Sequence, residues 1–271
     1  MDILSQIIDK KKLRLAAGKS LKPLAEVHSE AMRSRHTAPR HALMTALEQN
    51  DRVKIIAEFK RRSPSKGEIR RNADPAGIAK RYELGGAAAV SVLTEEDYFD
   101  GSLDDLRAVR QATSLPILRK DFVFDEYQVY ESAAAGADAL LLIVAALDDD
   151  TLARLRTITE DELGMDALVE VHTEEELGRA MQAGARVIGV NNRDLSTFEV
   201  SLETSVQLAS AAPKDTLLIS ESGIGSADDI ERLRGLGYRG FLIGERLMRV
   251  DDPEELLVQL TLAQAFTPGK A

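Results

Sequence analysis

Four times along the chain a polar stretch of helical character ends in a glycine and gives way at once to a short apolar run. The junctions open at Gly86, Gly136, Gly184 and Gly237. Glycine tolerates the left-handed backbone that closes a helix. An apolar run this short suits a strand buried on both faces of a parallel sheet. Each place therefore predicts a helix-to-strand junction. The junctions recur about every fifty residues, too long for one strand–helix unit and right for two. Four doubled repeats make eight units, and eight parallel strands with eight helices close into a barrel.

The predicted strands are residues 53–60, 88–93, 116–120, 139–144, 167–171, 187–191, 216–220 and 240–243. Helices are predicted to start at Asp74-Pro75, a cap followed by a first-turn proline, and at Ser102, Asp125, about Asp149, Thr173, near Leu202, Ser226 and Asp252-Pro253. Thr173 with Glu176 reads as a capping box. Before the repeats, Ile3, Leu4, Ile7 and Ile8 lie at helical spacing. Ser20 is expected to cap a second helix and Ser29 to lie inside it. Pro39 breaks the next stretch, after which Leu43 and Leu47 sit one turn apart. An open doubly wound sheet alternates strand and helix in the same way, but the first strand-to-helix connection lacks its Gly-x-Gly-x-x-Gly turn and the doubling favours closure. The expected fold is α/β: one domain over 1–271, with a helical extension at 1–48 and a single (β/α)8 TIM barrel at 53–265. The last residues, 267–271, are expected to fray.

Composition narrows the function classes. The chain has 271 residues and a net charge of −10, which argues against a general binder of nucleic acid or of anionic membranes. It contains no cysteine, so disulfides and thiolate zinc sites are excluded. The longest apolar run, 139–147, is too short to cross a bilayer as a helix, and from the opening Met1-Asp2-Ile3-Leu4 no signal peptide is expected. A cytoplasmic location is the expectation.

Charge collects where the strands end. Glu58 and Lys60 close the first strand, Lys120 the third, Glu170 and His172 the fifth, Asn191 and Arg193 the sixth, Glu221 and Ser222 the seventh. Residues two apart in a strand share a face, so Glu58 with Lys60, and Glu170 with His172, point the same way. Any one of them could be a structural ion pair filling a barrel mouth. Two lysines and two glutamates converging from three strands is more charge than packing needs. Ser220-Glu221-Ser222-Gly223-Ile224-Gly225 and Ile243-Gly244-Glu245-Arg246 end the seventh and eighth strands. Barrels often hold phosphate on the backbone of this pair of loops, although such glycines also make plain tight turns. The loop after the first strand carries Arg61, Arg62, Lys66, Arg70 and Arg71 around Ser63-Pro64-Ser65. It reads either as a solvated basic loop or as a mobile lid over an anion. His28, His36 and His41 fall in the extension, expected on its surface, and His172 has only Glu170 near it in sequence, so no metal motif emerges.

Taken together, Glu58-Phe59-Lys60-Arg61-Arg62-Ser63-Pro64-Ser65-Lys66-Gly67 resembles the opening motif of indole-3-glycerol phosphate synthases. The resemblance continues through Ser91-Val92-Leu93-Thr94-Glu95, Tyr98-Phe99-Asp100-Gly101-Ser102, Leu118-Arg119-Lys120-Asp121-Phe122 and Leu168-Val169-Glu170-Val171-His172. It runs on through Gly189-Val190-Asn191-Asn192-Arg193-Asp194-Leu195, Ser220-Glu221-Ser222-Gly223-Ile224 and Phe241-Leu242-Ile243-Gly244-Glu245, and so spans the chain. It implies ring closure of an anthranilate-derived deoxyribulose phosphate with loss of carbon dioxide and water. Lys120 would be the general acid on the ketone, its pKa lowered by burial and a neighbouring cation. Lys60 would hold the substrate carboxylate and help expel hydroxide, with Glu58 orienting it, and Glu170 would be the base for dehydration. Asn191 and Ser222 would fix hydroxyls and the ring, and Arg193 would hold Glu170 or the substrate. Glu221 belongs to the same set. Phe99, Phe122, Leu141 and Leu242 would form an apolar slot for the ring. Phosphate would lie against Ser63, Gly223, Gly244 and the backbone of Glu245, whose carboxylate must then point away. No metal or organic cofactor is implied. The expected partner is a phosphorylated small molecule, not nucleic acid or membrane, and the expected state a monomer or weak homodimer. A Schiff-base aldolase or lyase acting through Lys120 or Lys60 shares the barrel, the phosphate loops and the strand-borne lysine. A phosphate-binding protein without catalysis would not need an acid and a base together.

Overall fold

The computed structural model describes residues 3–49, 52–195 and 197–262. Eight strands form one closed parallel barrel: β1 (Lys54–Phe59), β2 (Ala89–Leu93), β3 (Ile117–Lys120), β4 (Ala139–Ile143), β5 (Asp166–Val171), β6 (Val187–Asn191), β7 (Leu217–Glu221) and β8 (Gly240–Ile243). Each strand pairs with the next in sequence, and β8 closes on β1 with Lys54 opposite Gly240 and Ala57 opposite Ile243. The predicted strands agree with these within a residue at each end. Val144, placed at the end of the fourth strand, opens a 3-10 turn over Val144–Ala146 instead.

Alternation along each strand sorts two cores. Ile55, Ala57 and Phe59 face the outer helices, as do Val169 and Val171. Ile56, Leu118, Leu141, Leu168, Ile219 and Leu242 fill the barrel interior. Two residues beyond several of these interior positions stands a charged one: Glu58 after Ile56, Lys120 after Leu118, Glu170 after Leu168 and Glu221 after Ile219. The same period-two rule that buries the aliphatic layer thus delivers the charges to the C-terminal mouth.

Helices follow the expected starts. Asp74 caps α4 (Pro75–Leu84) and Ser102 caps α5 (Leu103–Ala112). Asp125 caps α6 (Glu126–Ala135), Asp148 caps α7 (Asp149–Thr157) and Thr173 caps α8 (Glu174–Gln182). After α9 (Glu203–Ala211), Ser226 caps α10 (Ala227–Gly235) and Asp252 caps α12 (Pro253–Thr261). Each capping side chain accepts from a backbone N–H that has no partner within the helix. A five-residue helix between these, α11 (Glu245–Arg249), directly follows β8 and was not foreseen.

Before the barrel run α1 (Ile3–Leu21), α2 (Leu24–Arg35) and α3 (Ala42–Glu48). Ser20 does not cap a second helix. It lies inside α1 and donates to the Ala16 carbonyl at 2.9 Å, while Pro23 precedes α2. Leu43 and Leu47 of α3 belong to the barrel's inner core and plug its N-terminal end. His41 is half-buried: its Nδ1 lies 3.2 Å from Asp166 Oδ1 and 3.1 Å from the Met165 carbonyl, beneath β5. His36 is exposed, and His28 packs edge-on against Tyr130. The expectation for 267–271, and the end of the barrel segment beyond 262, fall outside the described residues.

Candidate active site

One cavity of about 810 Å³ opens at the C-terminal mouth, and all sixteen residues singled out from the sequence line it. Its floor is a charged array. Lys120 Nζ lies 3.0 Å from Glu170 Oε2 and 3.1 Å from Glu221 Oε2. Lys60 Nζ donates to Glu58 Oε1 at 2.5 Å. Glu58, Glu170, Asn191 and Glu221 are buried. Asn191 hydrogen-bonds Glu170, and its Oδ1 accepts from the Arg193 N–H at 3.1 Å. The walls carry Phe99 and Phe122, with ring centroids 6.2 Å apart, together with Leu141 and Leu242.

The electrostatics differ from the expectation for Lys120. Burial would lower its pKa, but Glu170, then Glu221 and Glu58, outweigh burial and hold the ammonium above its ordinary value. The charges that act most strongly on it are carboxylates rather than the expected cation. For Glu170, burial works to raise the pKa, and Lys120, His172 and the Asn191 hydrogen bond bring it below the usual value. Glu221 is the least stabilised anion. Burial, with Glu170 and Glu58 nearby, pushes its pKa up to about 7 despite Lys120. Its Oε1 is buried with no hydrogen-bond partner.

At the far end lie the glycine loops. After β7 the chain turns through Ser222 at φ 64° and Gly223 at φ 80°. A left-handed serine costs energy that a glycine would not. Glu245 opens α11, and its carboxylate turns along the helix to Arg249 Nε at 3.0 Å. Arg246 Nη1 donates to the Gly225 carbonyl at 2.5 Å, tying the loop after β8 to the loop after β7. Arg193 lines the cavity with its Nη1 on the Phe198 carbonyl at 3.1 Å. Among the described residues no group of three or more His, Asp or Glu could hold a metal ion.

Residues 4–260 match the family model described as indole-3-glycerol phosphate synthase. Relatives bearing that name are 47% identical in Kineococcus radiotolerans, covering 100% of this chain and 99% of the relative, and 46% identical in Desulfosudis oleivorans, covering 96% and 98%. The chain belongs to the indole-3-glycerol phosphate synthase family. It is therefore a carboxy-lyase of tryptophan biosynthesis acting on a small molecule. Among solved structures, the thiamine phosphate pyrophosphorylase of Pyrococcus furiosus superposes with a TM-score of 0.58 at 16% identity, covering 77% of this chain and 93% of that one. A 3-hexulose-6-phosphate synthase does so with a TM-score of 0.58 at 14% identity, covering 78% and 99%. At that identity the likeness is one of fold. Among the described residues no helix is long and apolar enough to cross a membrane.

Several residues of this synthase escaped the sequence reading. Ile3, Leu4 and Ile7 of α1 line the cavity, so the extension roofs the site as well as packing on the barrel. The signal was their helical spacing, an apolar stripe without an assigned partner. Beneath it, Lys11 is 5% exposed and its Nζ reaches Asp121 Oδ1 at 2.7 Å. Asp121 Oδ2 takes Arg119 Nη2 at 3.0 Å and Thr94 Oγ1 at 2.5 Å. Arg14 grips Asp97 with two 2.8 Å bonds. Such long-range pairs leave no local pattern to read. In the basic loop, Ser63, Pro64, Ser65 and Lys66 line the cavity. Arg61 turns away to clasp Asp105 with both terminal nitrogens, at 2.6 and 2.8 Å, and a short antiparallel pair, Arg62–Ser63 with Gly67–Glu68, stiffens the loop.

Proposed function

We propose that this chain closes the indole ring at the floor of the cavity, with Lys120 as general acid and Glu170 as general base. The observation that carries the reading is the Lys120 ammonium held between the carboxylates of Glu170 and Glu221 at the base of the cavity. The substrate is 1-(2-carboxyphenylamino)-1-deoxyribulose 5-phosphate. Its carboxylate-bearing ring carbon attacks the ribulose ketone, whose oxygen gains the electron pair. That alkoxide is far more basic than an ammonium, so Lys120 can give it a proton even though carboxylates hold Lys120 charged. Carbon dioxide leaves as ring aromaticity returns. Dehydration follows: the new hydroxyl departs with a proton from Lys60, and Glu170 takes a proton from the adjacent carbon.

Before that, Lys60, steered by Glu58, binds the ring carboxylate. Asn191 and Ser222 fix hydroxyls and the ring edge, and Arg193 adds charge-assisted hydrogen bonds. Phe99, Phe122, Leu141 and Leu242 form the ring slot. Phosphate lies against Ser63, Gly223, Gly244 and the backbone of Glu245, a reading supported by the Glu245 carboxylate being drawn off to Arg249. No metal or organic cofactor is required, since rearomatisation drives decarboxylation. The whole chain acts as one domain, a cytoplasmic monomer or weak homodimer whose partner is this phosphorylated small molecule. No observation favours a Schiff-base lyase: a nucleophilic lysine must be neutral, and Lys120 sits between two carboxylates. Lys120→Ala is expected to keep its circular dichroism and lose at least ~100-fold in turnover followed by indole fluorescence, the scale of lost acid–base catalysis. A near-normal rate would remove Lys120 from the mechanism.

A further inference from the structure

Behind Glu170, on the side away from Lys120, stands a histidine that does not line the cavity. Thr173 caps α8, and Glu176, at the third helical position, is placed to complete a capping box by reaching back to the Thr173 N–H. It reaches one residue further. Its Oε2 accepts from the His172 backbone N–H at 2.7 Å and lies 3.1 Å from His172 Nδ1. That double hold fixes the ring with Nε2 aimed at Glu170 Oε1, 3.5 Å away. Nε2 is buried and makes no hydrogen bond, so Glu170 Oε1 meets it as a nearby charge.

Both ring nitrogens therefore face carboxylates. A neutral ring donating from Nδ1 to Glu176 would turn the Nε2 lone pair on the Glu170 carboxylate, which is repulsive. An imidazolium donates from Nδ1 to Glu176 and turns its positive charge toward Glu170. We propose that Glu176 and His172 form a carboxylate–imidazolium pair that positions Glu170 and keeps it ionised from outside the cavity. The inference rests on Glu170 being the base. The charged groups acting on the ring are Glu176 of α8, Glu170 of β5 and Glu221 of β7, while Lys120 of β3 holds the other oxygen of Glu170. Burial works against the charged ring, and those three carboxylates outweigh it, so His172 titrates above its ordinary value. The pair matters when Lys120 hands its proton to the substrate. At that moment Glu170 loses one counter-charge and retains the other. His172 acts through Glu170, so it is a positioning residue.

The test is the pH profile of kcat in His172→Gln and Glu176→Gln, with Glu170→Gln alongside and thermal melts to confirm folding. Removing the imidazolium raises the pKa of Glu170. In His172→Gln the acid limb of the profile should move up by roughly 0.5–1 pH unit. KM should stay within about twofold, because the ring touches no substrate. Glu176→Gln should shift the limb the same way by less, and its His172 ring resonance, assigned by its absence in His172→Gln, should titrate at lower pH than in the parent. A purely structural role would lower the melting temperature and leave the limb in place. If Glu170→Gln is impaired while neither other variant moves the limb or the resonance, the pair is overturned and the base stands. If Glu170→Gln turns over normally, the base falls and the pair with it.

Discussion

Two glycines show how closely the carboxylates are fitted. A Cβ on Gly244 would collide with Glu58 Oε1 and approach Glu58 Cβ to 3.0 Å. Glu58 would have to swing off Lys60 to make room. The backbone at Gly244, φ −123° and ψ −71°, is not in the left-handed region, so the clash with Glu58 is the main effect. Gly244→Ala should therefore stay folded and lose ~10- to 100-fold in kcat through a displaced Lys60, the order that an ångström of misplacement costs. Gly189 is the harder case. Its Cβ would strike Glu221 Oε1 and sit 3.1 Å from Leu168 Cδ1, with both neighbours enclosed by the barrel. Gly189→Ala should cost about 1–3 kcal/mol of stability, as overpacking does. Urea melts check the second and steady-state kinetics the first, and equal stability losses in the two would contradict this division.

Among the elements, α1 has the most to lose. Its Lys11 is the buried cation that meets Asp121, the residue after Lys120 in sequence. Burial would raise the Asp121 pKa, but Lys11 and Arg119 bring it down to about 2. A carboxyl depressed in the folded state adds stability that is whole above its unfolded pKa near 3.8 and fades as pH falls through about 2. The shift corresponds to about 2 kcal/mol. Acidification over that window should loosen α1 first, seen as faster amide exchange at residues 3–21, and Lys11→Met should show the looseness already at pH 7, with a raised KM because Ile3, Leu4 and Ile7 line the site. Unchanged exchange in Lys11→Met would mean the apolar stripe alone seats the helix. Here lies the boundary of what the sequence made legible. Strands, caps and the inward charges follow from period-two and capping rules that act within a few residues, and they were readable. The α1–β3 strap and the sign of the Lys120 shift depend on residues tens of positions apart, brought together only when the barrel closes. Ser20 misled because a serine inside a helix and a serine at its start look alike until the carbonyl it bonds is known.

At the scale of the whole molecule the mouth of the barrel is a concentration of charge that the fold accommodates at a cost. Three buried carboxylates, Glu58, Glu170 and Glu221, face the ammonium groups of Lys60 and Lys120, and the shortfall of cation falls on Glu221. Its folded pKa of about 7 stands above an unfolded value of 4.5. A group raised in this way leaves stability intact below about pH 4.5 and withdraws it as pH climbs through 7, because the folded state must then carry an anion that water would have held more easily. Glu221→Gln should therefore match the parent near pH 4.5 and exceed it at pH 8 by on the order of 1–3 kcal/mol, read from urea midpoints at the two pH values. Turnover should fall in the same variant, since Lys120 would keep only Glu170 as its anionic partner and its ammonium would no longer be held at the cavity floor from both sides. A variant that is more stable at high pH and slower is what an array kept for chemistry predicts. One that is less stable at pH 8 would show that Glu221 is a structural anchor for Lys120, and that packing, not catalysis, accounts for its place.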